Sequence, residues 1–138
     1  MPFNNYKRFL KMLSGSFYDI QSFTIPDPDN ALQEFVMIAA LNPADPIFGG
    51  HFPGNPVVPG VCQVQMIREV VEMALGRPVR LVESDNIKFL AIINPEKAPL
   101  VELKVIIKPA TNQLHSVTAS IISGETVFLK FKGIFEPE

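Results

Sequence analysis

The spacing of apolar positions predicts one long helix in the middle of the chain. Between residues 61 and 75, apolar side chains recur at helical intervals, among them Val61, Val64, Ile67, Val70, Val71 and Ala74. They cover more than one face, which is typical of a helix buried on several sides rather than one lying on a surface. Gly76 and Pro78 follow directly and predict the C-terminal end of this helix.

Strand patterns flank this helix on both sides. Residues 100–109 alternate, with Val101, Leu103, Val105 and Ile107 on one face and Glu102, Lys104, Ile106 and Lys108 on the other. This period of two predicts a half-buried strand. Further strands are predicted over 17–25, 33–41, 114–123 and 126–135, and residues 79–82 and 86–93 are interpreted as one broken or bulged strand. A short helix is predicted over 6–13, and residues 42–60 are predicted to form a long loop.

The order of these elements predicts an α+β fold in which an antiparallel sheet packs on the long helix. A length of 138 residues suits one domain, spanning 1–138. One helix cannot cover a sheet of about six strands completely. We therefore expect an edge or the far face of the sheet to pair with a second chain.

Composition excludes several classes of function. The formal charge of −2 gives no basic footprint for nucleic acid. One cysteine, Cys62, cannot form an internal disulfide, and with two separated histidines it offers no credible zinc site. The sequence lacks an apolar run of about 18 residues, so no membrane span is expected. These features predict a cytoplasmic protein.

A stiff loop precedes the long helix and presents one of the two histidines. Residues 50–61 have the sequence Gly-His-Phe-Pro-Gly-Asn-Pro-Val-Val-Pro-Gly-Val. Each of its three prolines fixes φ near −65° and biases the preceding residue toward extended backbone. The loop therefore holds His51 rigidly, just before the start of a helix, where catalytic machinery is plausible.

This motif resembles the signature of the β-hydroxyacyl-acyl-carrier-protein dehydratases of fatty-acid synthesis, which have the hotdog fold, a sheet wrapped around a central helix. The resemblance implies a homodimer, or a higher oligomer of dimers, with active sites at the subunit interface. His51 of one subunit would act there with Gln65 of the other, and the reaction would need no metal or organic cofactor. The resemblance also implies removal of water from a 3-hydroxyacyl thioester to give the trans-2-enoyl thioester. The substrate would arrive on the phosphopantetheine arm of an acyl carrier protein.

The chemistry assigns roles to the matched residues. Neutral imidazole suits removal of the weakly acidic Cα proton, so His51 is the expected base. Backbone N–H groups of Gly60 and Val61, at the helix start, suit the developing enolate oxygen. Phe52 and Pro59 belong to the loop expected to line the substrate.

The chain departs from the family at the acid. Members typically carry Glu at the position of Gln65 and Gln one turn later, whereas this chain has Gln65 and then Glu69. A glutamine cannot supply a proton usefully, and a placed acid contributes about 10²–10⁴-fold to the rate. Glu69 is a candidate to replace it, directly or through Gln65 or a water. Its alternatives are a carboxylate on the helix surface, or one near Arg68 or Arg77.

Other polar residues of the chain have structural interpretations. Glu72 follows Arg68 by four residues, which predicts a helix ion pair. His115 is expected to be structural or solvated, and Cys62 to be a packed thiol. Cys62 and Gln63 replace residues that are usually aliphatic in the family, which predicts a more polar pocket. Carrier proteins are acidic, and the candidates for docking one are Arg77, Arg80, Lys88 and Lys97.

Three functions stay open from the sequence. The first is the dehydratase reaction. The second is a catalytically impaired partner subunit that binds acyl carrier protein or a competent paralogue. The third is an acyl thioesterase on the same fold, in which His51 and Glu69 activate water at the carbonyl. Fold alone does not decide among them.

Overall fold

The computed structural model describes residues 12–50, 54–109 and 111–138. In these ranges the strands are β1 (Tyr18–Thr24), β2 (Glu34–Leu41), β3 (Val79–Phe89), β4 (Leu100–Pro109), β5 (His115–Ser123) and β6 (Thr126–Pro137). The helices are α1 (Pro46–Gly50) and α2 (Gly60–Leu75), with a single 3-10 turn over Thr111–Gln113. The helix predicted over 6–13 falls outside the described residues, except for Met12 and Leu13, which are not helical.

The strands form one antiparallel sheet in the order β1-β2-β4-β5-β6-β3. One face of the sheet packs against α2, which touches β2, β3 and β4. This confirms the predicted α+β architecture and the hotdog arrangement of a sheet around a helix. Within the described residues, β1 and β3 are the edge strands, so each has one side of its hydrogen-bonding ladder open.

The core lies between α2 and the sheet. The alternation in β4 is confirmed, because Val101, Leu103, Val105 and Ile107 are buried while the residues between them are not. Four apolar side chains of α2 are at most 1% exposed: Met66, Ile67, Val70 and Val71. Each apolar side chain of this size contributes about 1.5–3 kcal/mol when fully buried. The core therefore fixes the axis and rotation of α2, on which the candidate site is built.

The predicted end of α2 is also confirmed. Gly76 adopts the left-handed conformation with φ 69°, and its N–H donates to Glu72 O at 2.8 Å. A residue with a side chain would be strained in this conformation.

The strand β3 is bulged, as predicted, but it ends earlier than predicted. Its pairing with β6 shifts register between Leu81 and Glu83 and again between Ser84 and Asn86. The strand stops at Phe89, although Leu90 N still donates to Phe128 O of β6 at 2.8 Å. The carbonyl of Ile93 instead accepts a hydrogen bond from Val58 N at 2.9 Å, so this segment supports the loop that leads into α2.

The expectation that residues 42–60 form only a loop was wrong, because α1 lies within them. Asp45 directly precedes it, and its Oδ1 accepts a hydrogen bond from Ile47 N at 2.9 Å. Pro46 occupies the first helical position, where its missing N–H costs nothing. Within the described residues, neither helix has the length and apolar character needed to cross a bilayer.

Candidate active site

Both ends of the histidine loop are anchored to the core. Before it, the ring of Phe48 stacks on that of Phe17, with centroids 4.9 Å apart and both side chains buried. After it, Val58 is 2% exposed and is tied to Ile93 by the backbone hydrogen bond described above. His51 and Phe52 lie outside the described residues, so their catalytic and substrate-binding roles stay predictions.

The first turn of α2 presents backbone donors. Pro59 precedes the helix with extended backbone, and no side chain caps it. Its carbonyl accepts the N–H groups of Cys62 and Gln63, at 3.0 and 3.1 Å. The two earlier N–H groups, those of Gly60 and Val61, precede the first bonded donors and lie at the positive end of the helix dipole. This is the position expected of N–H groups that stabilise the enolate oxygen of the substrate.

A half-exposed aromatic ring covers the start of α2. A Cβ placed on Gly60 would lie 2.9 Å from Cζ of Phe89, closer than real Cβ atoms approach. Glycine therefore lets the ring of Phe89 rest on the backbone that carries the candidate donors. Several large apolar side chains at the start of α2 and at the end of β3 are exposed: Val61 at 79%, Phe89 at 53%, Leu90 at 52% and Ile92 at 70%. A group of exposed apolar residues of this kind is typical of an interaction surface.

The carboxylate of Glu69 is the most extensively bonded side chain of the site. It is 1% exposed. Its Oε2 accepts from Leu13 N at 2.9 Å, and its Oε1 accepts from Ser14 N at 3.0 Å and from Tyr18 Oη at 2.7 Å. Burial, together with the negative charge of Glu69, raises the pKa of the Tyr18 phenol far above its ordinary value. Glu69 therefore ties the segment before β1 to the middle of α2.

Gln65 joins this cluster from one turn earlier. Its Nε2 donates to Glu69 Oε2 at 3.0 Å, and its side chain is only partly buried. The amide nitrogen is thereby turned toward Glu69, which leaves the carbonyl oxygen and one N–H of Gln65 for a ligand. The site thus offers a neutral amide of fixed orientation at the place where the resemblance expects an acid.

The structure corrects the alternatives considered for Glu69. It is neither a surface carboxylate nor a partner of Arg68 or Arg77, because its oxygens face buried donors from residues 13–18. Sequence patterns gave no sign of these partners, since two of them are backbone N–H groups. Only the phenol of Tyr18 carries a side-chain signal, and a lone tyrosine in a strand does not indicate this bond.

The structural interpretations of the other polar residues are confirmed. Arg68 Nε lies 3.6 Å from Glu72 Oε2, and Val79 N also donates to that oxygen at 3.0 Å. Cys62 is 7% exposed, and burial first, then the charges of Asp45 and Glu69, raise the pKa of its thiol. The thiol is therefore packed and protonated at neutral pH.

His115 begins β5 and is half-buried. Burial, followed by the positive charge of Arg77, lowers the pKa of its imidazole. The imidazole is therefore mainly neutral at pH 7.

Gln63 is a buried polar residue that the sequence flagged only as unusual. It is 3% exposed, and its Nε2 donates to Val58 O at 3.2 Å. Among the described residues, its Oε1 has no hydrogen-bond partner. This supports the expectation of a more polar environment beside the histidine loop.

The four basic residues suggested for carrier docking do not form one patch. Arg80 pairs with Glu136, and burial, followed by the positive charge of Arg77, lowers the pKa of His115. Lys97 lines a groove with Asn94 and Phe128, whereas Lys88 lies on the outer face of the sheet with three other lysines.

Comparison with known proteins agrees with this architecture. The model of the ApeI-like family, described as ApeI dehydratase, matches residues 28–137. A curated 3-hydroxyacyl-[acyl-carrier-protein] dehydratase, FabZ of Caldicellulosiruptor saccharolyticus, is 33% identical over 69 residues, covering 45% of this chain and 49% of the relative. FabZ of Caldicellulosiruptor bescii is 29% identical over 91 residues, which cover 60% of this chain and 64% of the relative. The chain thus spans about half to two thirds of the length of these curated relatives.

Solved structures share the fold at lower sequence identity. The dehydratase heterocomplex ApeI:P of Xenorhabdus doucetiae superposes with a TM-score of 0.60 at 18% identity, covering 86% of this chain and 96% of that one. A putative thioesterase of Lactococcus lactis gives a TM-score of 0.61 at 14% identity, covering 86% and 91%. These two similar structures are named for different reactions, a dehydratase and a thioesterase. The similarity therefore establishes the hotdog fold, and the reaction has to be argued from the site.

Proposed function

Because the chain belongs to the ApeI-like dehydratase family, we propose that it removes water from a 3-hydroxyacyl thioester to give the trans-2-enoyl thioester. The observation that carries this proposal is the geometry of α2. The helix begins with two backbone N–H groups, and the side-chain amide of Gln65 follows them along α2. Glu69, one turn after Gln65, holds that amide in place through a hydrogen bond. A thioester carbonyl at the helix start brings the C3 hydroxyl of the same substrate toward Gln65.

In the proposed reaction, the imidazole of His51 takes the Cα proton while the N–H groups of Gly60 and Val61 stabilise the enolate oxygen. The electron pair of the Cα–H bond forms the double bond as the C3–O bond breaks. The leaving oxygen takes the proton now held by the imidazolium and departs as water. Gln65 orients the hydroxyl, and Glu69 acts as a positioning residue for Gln65. Phe52 and Pro59 line the substrate from the loop.

The substrate carrier and the assembly are part of the same proposal. We infer that the substrate is carried by an acyl carrier protein, as a phosphopantetheine-linked acyl chain. The curated relatives are named 3-hydroxyacyl-[acyl-carrier-protein] dehydratases, which supports this inference. We also infer a homodimer within the cytoplasm, built on a single domain over 1–138. The exposed apolar group at the start of α2 and the open edge of β3 support an interface there, because apolar surface next to an unpaired edge favours strand pairing with a second chain.

The first experiment is hydration of a trans-2-enoyl pantetheine thioester, followed by loss of the enoyl absorbance. We expect turnover by the parent, loss of turnover in His51→Ala, and retention in His115→Ala, which removes the other histidine. A thiol reagent in a parallel assay distinguishes hydration from thioester hydrolysis. Release of free thiol in step with the loss of absorbance would replace the dehydratase proposal with the thioesterase one, because hydrolysis also removes the enoyl thioester whereas hydration leaves the thioester bond intact.

A second candidate function is favoured by one observation. Gln65 stands at the acid position with its amide already bonded to Glu69, as in a site that binds substrate without turning it over. In that case the chain is a partner subunit for a competent paralogue, and one protein of similar structure is a dehydratase heterocomplex. An inactive parent that gains activity only when mixed with an acid-bearing paralogue supports this candidate. The thioesterase reaction is not favoured, because the oxygens of Glu69 are occupied by buried donors and cannot reach a water at the carbonyl.

A further inference from the structure

A groove of about 400 Å³ lies on the outer face of the sheet, opposite α2. It crosses β2, β4, β5, β6 and β3, and its polar lining consists of Glu34, Asn86, Lys88, Lys104, Thr118, Ser120, Lys130 and Lys132. Along β4 and β6 these lysines alternate with the buried residues that face α2. The sheet therefore separates the groove from the candidate active site.

The strand register concentrates positive charge in this groove. Lys130 pairs directly with Lys88 across β6 and β3, and Lys132 lies two residues further along β6. Directly opposed side chains have Cβ atoms about 4.5–5.5 Å apart, and like charges placed so are destabilising. In the same cross-strand row, Ser120 separates Lys130 from Lys104, whose Nζ lies 3.6 Å from Glu102. A chain with a net charge of −2 thus carries a local cluster of lysines that costs stability when empty.

We propose that this groove binds a small organic phosphate that carries two or more phosphate groups. The three clustered lysines, Lys88, Lys130 and Lys132, are neighbours in the register of β3 and β6, so a ligand with more than one phosphate group can contact more than one of them. Ammonium groups bind phosphate oxygens through charge-assisted hydrogen bonds. The hydroxyls of Thr118 and Ser120 add further donors within the groove. The volume lies within the range of small-molecule sites. This inference does not rest on the proposed dehydratase reaction.

The same charges disfavour two other occupants. A second copy of this chain docked face to face would oppose lysines to lysines. An acyl carrier protein docked here would face the sheet, which lies between the groove and α2, so its acyl arm would have no direct path to the candidate donors at Gly60. The proposal therefore commits to a small polyanion.

Titration calorimetry at low salt with inorganic pyrophosphate, ADP and orthophosphate tests the proposal. We expect pyrophosphate and ADP to bind, and orthophosphate to bind more weakly. Lys88→Gln and Lys130→Gln each remove one charge-assisted contact and should weaken pyrophosphate binding about tenfold. Lys97→Gln, an exposed lysine in a different groove, is the matched control and should change it by less than about twofold.

Thermal unfolding of the unliganded variants separates lost binding from lost folding. Because Lys88→Gln and Lys130→Gln each relieve a like-charge pair, their melting temperatures should not fall below that of the parent. The proposal is overturned if pyrophosphate and ADP fail to bind the parent at millimolar concentration, or if Lys97→Gln weakens binding as much as the groove variants. Tighter binding of a polyglutamate peptide than of pyrophosphate also overturns it, in favour of an acidic protein partner.

Discussion

Gln65 Nε2 donates to Glu69 Oε2 at 3.0 Å, and this bond sets which atoms of the Gln65 amide face a ligand. Glu69 is in turn held by Leu13, Ser14 and Tyr18. The orientation of one partly buried amide is therefore determined by a carboxylate that no solvent reaches. An acid introduced at residue 65 would meet the same carboxylate at hydrogen-bond distance.

Gln65→Glu should increase the rate of trans-2-enoyl thioester hydration by about 10²–10⁴-fold, the usual contribution of a placed acid. The new carboxyl group would lie beside the negative charge of Glu69, which favours its protonated form at neutral pH. The measurement is kcat/KM by enoyl absorbance at several pH values. The gain should disappear in the double variant with His51→Ala, and an unchanged rate would show that residue 65 does not act on the hydroxyl.

Glu69→Gln should lower the free energy of unfolding by about 3 kcal/mol, because an amide has one acceptor oxygen where the carboxylate has two and so leaves buried donors unpaired. Urea unfolding gives this value. Glu96→Gln is the control, since Glu96 is exposed, and should change stability by less than about 0.5 kcal/mol. A loss below about 1 kcal/mol for Glu69→Gln would contradict the role of Glu69 as the tie to residues 13–18.

Tyr18 should make stability fall above about pH 10. Its pKa is raised in the folded state, mainly by burial and then by Glu69, whereas in the unfolded chain it ionises near 10. Above that pH the unfolded chain releases a proton that the folded protein keeps, so the contribution is present below pH 10 and decreases by about 1.4 kcal/mol per pH unit above it. Unfolding measured from pH 9 to 11 should show a shallower decrease for Tyr18→Phe. Parallel curves for parent and variant would refute the expectation.

Gly60 and Phe89 should be coupled in stability. When Gly60→Ala is made in the otherwise unchanged protein, the new methyl group meets the ring of Phe89, which is half-exposed and must move. In a Phe89→Ala background that contact is gone, and alanine should stabilise the helix by up to about 1 kcal/mol over glycine. A double-mutant cycle by chemical denaturation measures the difference. Equal effects in the two backgrounds would show that the ring does not rest on Gly60 in solution.

Much of the fold could be predicted because apolar periodicity follows directly from burial. The alternation of β4 and the end of α2 at Gly76 appear in the structure as the sequence indicates. The helix α1 was missed because five residues carry too few periodic positions, although Asp45 followed by Pro46 is a recognisable start signal. The early end of β3 was missed because residues 90–93 are as apolar as a strand but support the loop through Ile93 instead.

The site was less predictable than the fold for a physical reason. Glutamate is almost never fully buried without partners, so the sequence favours a surface position for Glu69. Its partners include the backbone N–H groups of Leu13 and Ser14, which no residue type reveals. The placement of Gln65 could be predicted, because its register one turn before Glu69 on α2 follows from the helical repeat alone.

The bonds from residues 13–18 to Glu69 also constrain the order of folding. Leu13 and its acceptor are 56 residues apart, and Tyr18 and the same acceptor are 51 apart. During synthesis, the start of the chain therefore leaves the ribosome long before the carboxylate that satisfies it. Contacts of such long sequence separation close late and slow folding, since the entropy of the intervening loop is lost before the contact forms. The first strand of the sheet is thus among the segments that depend on the middle of the chain for their final position.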